Sequence, residues 1–238
     1  LVLETRASVR PGRELNVRRG EIYYGDDITM SEWPDMDPLS TDVLTFWFGD
    51  TDLSREMERR DVWFRSTPEF DAELAQRYRE VHERAGGGAF DHFVENPADC
   101  LALTLILDQV PRNIYRASPR AFGTDAIARI ALDRGHDQLV AKWHKIFLYL
   151  PFEHSENLED QDRACALYEP LGEDRSMEAA LGHREAIRKF GRFPHRNVCL
   201  GRENTPEEEL YLEDPPLWGK TAAEVAEIEA RKAASGES

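Results

Sequence analysis

The sequence has no long apolar segment, no excess of basic charge and no closely spaced cysteines. Its longest apolar run, residues 100–107, is interrupted by Thr104 and is far shorter than the roughly 20 residues that a membrane-spanning helix needs. The net charge of −16, from 30 Lys and Arg against 46 Asp and Glu, argues against nucleic acid or an anionic membrane as a partner. The three cysteines, Cys100, Cys165 and Cys199, are too widely spaced for a disulfide framework. We therefore expect a cytoplasmic protein with reduced thiols.

Strand signals and phosphate-binding glycine loops are missing as well. No stretch alternates β-branched and polar residues over five or six positions, and no Asn-Gly pair marks a hairpin. A nucleotide cofactor has no support, because no glycine-rich motif follows a predicted strand, and we predict no cofactor. The hydrophobic content of 41% still excludes wholesale disorder. The core must therefore be built from secondary structure other than β-strands.

Helical patterns supply that element along most of the chain. Thr67-Pro68-Glu69, for example, is a helix cap with proline in the first turn. Another helix is predicted over residues 54–64, and the apolar helix that begins at Asn96-Pro97 is predicted to stop at Pro111. Further helices are predicted from Ser118-Pro119 to near Gly135 and over residues 137–149, and Thr205 to Glu208 is a predicted capping box. Predicted helix ends lie near Gly49, Gly86, Pro111, Gly135 and Gly191. Short helices with brief connections predict an all-α fold in one compact domain, built as a bundle or as stacked helical hairpins.

The helical domain is predicted to span residues 40–214. Residues 1–29 contain no apolar segment of the secretory kind, and Met30 stands just before the first patterned segment. We therefore expect Met30 to be the natural start and residues 1–29 to be a disordered extension. Pro215-Pro216 breaks the chain at the start of the C-terminal segment, residues 215–238. In this segment a charged helix is expected to begin with a capping box at Thr221 and to end in a short tail.

Three stretches concentrate polar and basic residues. They are residues 107–116, residues 147–161, and residues 183–202 with Phe-Pro-His-Arg-Asn at 193–197. In this order they resemble the bacterial and fungal family catalogued as domain of unknown function 924, over about residues 40–214. The resemblance implies an α-helical fold similar to tetratricopeptide-like superhelices, and it implies no established activity.

The basic residues of these stretches suggest an anion site in an otherwise acidic protein. Clustered positive charge attracts anions, and an arginine holds carboxylate or phosphate through two parallel N–H groups. The sequence predicts a pocket for a small anionic ligand, for binding or for catalysis, lined by Arg112, Asn113, Arg116, His154, Gln161, His183, Arg192, His195, Arg196, Asn197 and Arg202. The competing interpretation is structural, because Arg and Asn after a helix also satisfy its last carbonyl groups.

Acid–base chemistry needs a histidine beside a carboxylate, and the candidates are Asp108, His154, Glu156 and His195. Ser155 is predicted to cap the helix that follows. Because Glu153 and Glu156 flank it, His154 is expected to be protonated, whereas the charge state of His195 is left open.

Two other functions compete with an anion pocket. A metal site from His154, Glu156, His183 and His195 has no supporting spacing, so we predict no metal. A helical-repeat scaffold that holds a peptide or protein on its concave face is the alternative from a different class. The oligomeric state and the reaction, if there is one, are left open.

Overall fold

The computed structural model describes the backbone of residues 15–18 and 21–24, and describes residues 36–116, 118–122 and 134–216 in full. From residue 36 onward the regular structure of this part is helical, which confirms the predicted all-α class. Its α-helices are α1 (Pro38–Phe48), α2 (Pro68–Gly86), α3 (Pro97–Thr104), α4 (Val110–Ile114), α5 (Lys142–Glu153), α6 (Leu158–Tyr168), α7 (Asp174–Phe190) and α8 (Pro206–Glu213). Within the described ranges, no helix is both long and apolar enough to cross a membrane.

A short antiparallel hairpin precedes the helices and corrects the expectation that strands are absent. Strand β1 (Leu15–Arg18) pairs with β2 (Glu21–Tyr24), and Leu15 lies opposite Tyr24. The β-forming residues Val17, Ile22 and Tyr23 favour this pairing. Each strand is only four residues long, which is too short for the five-residue alternation that the sequence analysis required.

Helix ends follow the predicted chemistry at several positions. The Thr67 hydroxyl accepts the backbone N–H of Phe70 at the start of α2, and Thr205 and Glu208 form a reciprocal capping box at the start of α8. Gly49 and Gly191 end α1 and α7 with φ values of 82° and 69°, a left-handed conformation that strains other residues.

Two predicted helices are wrong in position. Residues 54–64 form a loop and a single 3₁₀ turn (Asp61–Trp63), because this charged stretch has no continuous apolar stripe to bury. The helix expected over residues 137–149 instead begins at Lys142 and ends at Glu153, after a 3₁₀ turn at His136–Leu139.

Pro111 does not stop the chain from remaining helical. A π-helical turn (Leu105–Gln109) joins α3 to α4, and Pro111 lies in the first turn of α4. The missing N–H of Pro111 therefore falls where the hydrogen-bond pattern changes from the wide π turn to the α-helix. This position lowers the energetic cost of a proline within a continuous helical segment. Of the helix expected after Ser118, the structure describes a 3₁₀ turn at Pro119–Ala121. Residues 123–133 and the helix expected from Thr221 lie outside the described residues.

The core is built around α3 and α5, which are apolar on nearly every face. Helix α3 packs against α1 and α5, while α6 packs between α5 and α7. At the centre, Phe147 of α5 meets Trp47, Phe48 and Trp63 with ring centroids 5.2–5.5 Å apart. These edge-to-face contacts add specific geometry to apolar burial, and they hold the end of α1 against α5.

We expect Phe147→Ala to lower the free energy of unfolding by about 3–5 kcal/mol, the usual cost of truncating a buried Phe. Phe147 is fully buried, so its removal leaves a cavity among three aromatic rings. Urea denaturation measures the change. Val198→Ala is the control, because Val198 is 84% exposed and its truncation should stay within about 0.5 kcal/mol of the parent. A loss below about 1 kcal/mol for Phe147→Ala would contradict this packing.

Candidate functional site

The candidate site begins at Asp108, a carboxylate in the π-helical turn between α3 and α4. Its side chain has no exposed surface. The turn inserts an extra residue into the helix, and such π turns occur frequently at functional sites. In this protein it buries a carboxylate in the core beside the end of α5.

Asp108 binds side chains from α4, from the end of α5 and from its own turn. Arg112 Nη1 donates to Asp108 Oδ1 at 2.9 Å and to the Asp108 carbonyl oxygen at 2.6 Å. His154 Nδ1 lies 3.0 Å from both carboxylate oxygens. Gln109 Nε2 donates to Oδ2 at 2.6 Å. Because an ionised carboxylate only accepts hydrogen bonds, His154 carries its proton on Nδ1.

Two opposing effects determine the ionisation of Asp108. Burial by itself raises the pKa of the carboxyl. The charges of Arg112 and His154, with the hydrogen bonds from His154 and Gln109, outweigh burial and hold that pKa well below its usual range. Asp108 is therefore an ionised carboxylate inside the protein. Of the predicted carboxylate candidates, the structure places Asp108, distant in sequence, against His154.

Arg196 approaches from the 3₁₀ turn Pro194–Arg196. Its Nη1 donates to the carbonyl oxygen of His154 at 3.0 Å. Its guanidinium lies over the rings of Phe122 and Phe193, 4.4 Å from each centroid. Arg112 lies 5.6 Å from the same Phe122 ring. The arginines of two similar loop sequences, Val-Pro-Arg-Asn and Pro-His-Arg-Asn, thus meet at one aromatic side chain.

Two further histidines complete this group, which we call the Arg–His cluster. The rings of His154 and His183 are 6.2 Å apart, and Phe193 lies 5.4 Å from His183 and 5.6 Å from His195. The Arg–His cluster comprises Asp108, Arg112, His154, His183, His195 and Arg196.

His195, whose charge the sequence left open, is neutral. Burial lowers its pKa, and the neighbouring charge of Arg196 lowers it further, to about 3, although Glu156 acts in the opposite direction. Like charges disfavour a second cation, and a buried imidazolium loses its hydration. Burial, and after it the charge of the arginine that follows His195 in the sequence, therefore keep this ring uncharged.

A neutral pair adjoins the charged groups of the cluster: His183, which belongs to the cluster, and Glu153. His183 Nδ1 is 3.1 Å from Glu153 Oε1 and 2.8 Å from the carbonyl oxygen of Ala179. Burial raises the pKa of Glu153 to about 8 despite a hydrogen bond with Tyr168, and burial lowers the pKa of His183 well below its usual range. Burial is the largest cause at both groups, so each is uncharged at neutral pH and their contact is not an ion pair.

Glu156 and Arg202 have structural roles. Arg202 binds Glu156 through two N–H groups, at 2.7 and 2.9 Å, and also donates to the carbonyl oxygen of Phe193. Glu156 in turn accepts the backbone N–H of Phe193 at 2.8 Å. This pair fixes the loop that carries His195 and Arg196, and it is a bridge beside the cluster rather than a member of it.

The other predicted polar residues also close loops. Arg192 binds Glu208 through two N–H groups, at 2.6 and 2.7 Å, and so ties α7 to α8. Arg116 and Asn113 both donate to Asp71 of α2.

Gln161 and Asn197 make hydrogen bonds of the same kind. Gln161 Nε2 donates to the carbonyl oxygens of Glu153 and Ser155 at 2.6 Å each, and Asn197 donates to Asn204 at 2.9 Å. The sequence predicted Ser155 as the cap of α6. The cap is instead Asn157, whose Oδ1 accepts the N–H groups of Glu159 and Asp160.

Sequence reasoning missed several residues of this region. Glu153 and Tyr168 were not predicted as site residues because both lie at apolar helix positions, where side chains usually belong to the core. Gln109 was missed although it contacts the adjacent residue Asp108. Phe122 carries no local signal, since its contact with Arg196 joins segments far apart in sequence. In the part of the chain that the structure describes, no group of three His, Cys, Asp or Glu side chains is placed to hold a metal ion.

A surface cleft of about 750 Å³ lies elsewhere, between the end of α1, the loop after it and the starts of α5 and α7. Phe48, Met57 and Trp143 line it together with acidic and basic side chains, and the sequence-predicted site residues do not. The Arg–His cluster is instead a packed group. It reaches the surface at Arg112 and His154, whose side chains are 17% and 13% exposed.

The family model for bacterial proteins of unknown function (DUF924) matches residues 43–216. That range is more than half of the chain and contains the whole Arg–His cluster. The chain belongs to this family. The match confirms the resemblance that the three polar stretches indicated, and it leaves the activity to be argued from the site.

A solved structure of the same kind supports the fold. The protein of unknown function ATU0120 from Agrobacterium tumefaciens is similar, with a TM-score of 0.68 and 40% sequence identity. The match covers 74% of this chain and 98% of that chain. Among curated proteins, none matches this chain.

We expect Glu153→Gln to make stability less dependent on pH. Between its ordinary value near 4.5 and about 8, native Glu153 holds a proton that the unfolded chain releases. The contribution of Glu153 to the free energy of unfolding therefore falls as pH rises from about 4.5 to about 8. The variant should gain stability relative to the parent between about pH 5 and about pH 8, measured by urea denaturation. A difference that stays constant with pH would mean that native Glu153 is ionised throughout.

Proposed function

We propose that the Arg–His cluster binds a small anionic ligand at Arg112, His154 and Arg196. The observation that carries the proposal is the meeting of Arg112 and His154 at Asp108, with Arg196 bound to the His154 backbone. Arg112 and His154 contact this carboxylate directly, and Arg196 holds the backbone of His154. Glu156, which also lies near His195, is paired with Arg202, and Glu153 is uncharged at neutral pH.

This local charge balance differs from that of the whole protein. The chain carries a net charge of −16, so its surface repels anions in general. A cluster in which basic groups outnumber ionised acids offers an anion a favourable potential within an acidic protein. Burial strengthens that attraction, because the effective dielectric constant is lower than in water.

The exposed edges of Arg112 and His154 are the point of entry for such a ligand. Arg196 lies deeper, with 5% of its surface exposed, and Phe122 and Phe193 hold its guanidinium in a fixed orientation. Guanidinium groups with fixed orientation suit oxyanions such as phosphate, sulfate or a dicarboxylate, which accept two N–H groups at once.

The Asp108–His154 pair also has the arrangement of a histidine oriented by a carboxylate. Such a partner fixes the imidazole tautomer and directs Nε2 away from the carboxylate, as in acid–base catalysts. If the site catalyses a reaction, His154 is the group that we expect to transfer the proton, with Asp108 as its positioning residue.

Thermal unfolding with added anions tests the proposal. Sulfate, phosphate or succinate at millimolar concentration should raise the melting temperature above that in chloride of equal ionic strength. A ligand at 100 times its dissociation constant adds about 2.7 kcal/mol to the free energy of unfolding. Arg112→Ala and Arg196→Ala should lose this response, each compared with its own melting temperature in chloride.

Arg116→Ala is the matched control, because Arg116 lies in the same stretch as Arg112 but pairs with Asp71 at the surface. Its response to anions should equal that of the parent. If the parent responds no more to sulfate than to chloride, or if Arg112→Ala and Arg196→Ala keep the full response, the cluster does not bind anions and its arginines are structural.

A further inference from the structure

The surface cleft at the end of α1 is a second candidate binding site, and none of the six residues of the Arg–His cluster lines it. Its volume of about 750 Å³ falls in the range of small-molecule sites. Phe48, Met57 and Trp143 contribute apolar surface, on which the hydrocarbon part of a ligand can be removed from water. The cleft therefore has both the size and the surface that a small organic molecule needs.

Contacts inside the protein hold the walls of the cleft in place. The carbonyl oxygen of Leu53 accepts the N–H of Ala141 at 2.7 Å, which ties the loop after α1 to the start of α5. Trp143 packs against Trp63 and Phe64, with ring centroids 5.4 and 6.3 Å apart. Because the walls are fixed before a ligand arrives, binding orders few additional side chains and loses little affinity to that ordering.

Eight charged side chains line the cleft, four of each sign, and four of the eight already have partners. Arg55 Nη1 binds Asp50 Oδ2 at 2.9 Å, and Arg59 Nη1 binds Asp61, outside the cleft, at 2.6 Å. The Glu173 carboxylate caps the start of α7. These four charges are satisfied within the protein, so they contribute to the walls rather than to ligand binding.

The side chains of the other four charged residues form no ion pair or hydrogen bond among the described residues. Lys142 and Arg175 lie at the starts of α5 and α7, whereas Glu56 and Glu58 lie in the loop after α1. Lys142 is half-buried, and its position does not favour the helix, because the N-terminal end of a helix repels a cation. The available positive charge thus comes from the helix starts and the available negative charge from the loop.

We propose that this cleft binds a small zwitterion with an apolar body, which is the chemistry of an apolar amino acid or a short apolar peptide. Lys142 and Arg175 bind its carboxylate, Glu56 and Glu58 bind its ammonium group, and its hydrocarbon part packs on the apolar surface. A ligand with a single charge would satisfy only one of the two sets. This site is independent of the anion site proposed at the Arg–His cluster.

Isothermal titration calorimetry with apolar dipeptides tests the inference. Leucylphenylalanine, phenylalanylleucine and methionylleucine are each titrated as the free peptide, with an acetylated N-terminus, with an amidated C-terminus and with both ends blocked. The free form should bind most tightly. Each block should weaken binding about threefold or more, as expected for the loss of a partly exposed ion pair. Free leucine and phenylalanine form a second arm, which distinguishes an amino-acid site from a peptide site.

Charge-neutral variants assign the two ends of the ligand. Lys142→Gln combined with Arg175→Gln should abolish the preference for a free carboxylate and keep the preference for a free amine. Glu56→Gln combined with Glu58→Gln should do the reverse. Lys145→Gln is the matched control, because Lys145 lies in the same helix but does not line the cleft, and it should bind as the parent does.

NMR locates the ligand, since the indole signal of Trp143 should shift when the free dipeptide saturates the protein. Equal affinity for the free and the doubly blocked forms, or tightest binding of a singly blocked form, would overturn the proposal. Binding that leaves Trp143 unchanged and is lost in Arg112→Ala would place the ligand at the Arg–His cluster and would overturn it too. So would the absence of binding by every dipeptide and amino acid up to about 10 mM. The response to sulfate is measured separately, so none of these results decides the anion site.

Discussion

The ionised carboxylate of Asp108 is the group around which the centre of the structure is organised. A buried carboxylate without partners would take up a proton or destabilise the fold. Asp108 avoids both outcomes because Arg112, His154 and Gln109 each donate to it. These donors tie the π-helical turn, α4 and the end of α5 to one point. Removing one donor would leave a buried charge partly uncompensated, which is why such clusters are sensitive to mutation.

The second layer of ionisable groups has the opposite character. Glu153 and His183 are as buried as Asp108, yet burial leaves both uncharged at neutral pH. The difference comes from the partners: Asp108 faces a guanidinium, whereas Glu153 faces a neutral imidazole and the Tyr168 hydroxyl. One ionised layer and one neutral layer in contact place several titratable groups with displaced pKa values side by side, an arrangement that is concentrated at functional sites.

The loop after α7 shows how structural and candidate functional residues share one segment. Arg192 and Arg202 are bound by Glu208 and Glu156 and fix the course of the chain. Between them, His195 and Arg196 lie in a 3₁₀ turn that these pairs hold in place. The loop therefore has a rigid frame around the partly buried His195 and the buried Arg196, which is the condition that a preorganised binding site needs.

The sequence by itself determined the helical class, the helix caps at Thr67 and Thr205, the glycine ends at Gly49 and Gly191, and the family. These are local properties, because capping and left-handed glycine depend on residues within one helical turn. Sequence reasoning failed where the local signal was weak or ambiguous. Residues 54–64 are charged but have no continuous apolar face to bury. Pro111 marks a change from π-helix to α-helix rather than the end of the helical segment.

Only the tertiary structure decided which basic residues belong together. All the arginines of the three stretches look alike in sequence, and the sequence does not show which acidic residue each one pairs with. Folding brought Asp71 to Arg116, Glu208 to Arg192 and Glu156 to Arg202, and so assigned those arginines to structure. It brought His154 to Asp108, beside Arg112, and it brought Arg196 to the ring of Phe122 instead. The reason is physical: several of these partners lie far apart in sequence, 45 positions for Arg116 and Asp71, 46 for Arg202 and Glu156 and 46 for His154 and Asp108, and no local pattern encodes such a pairing.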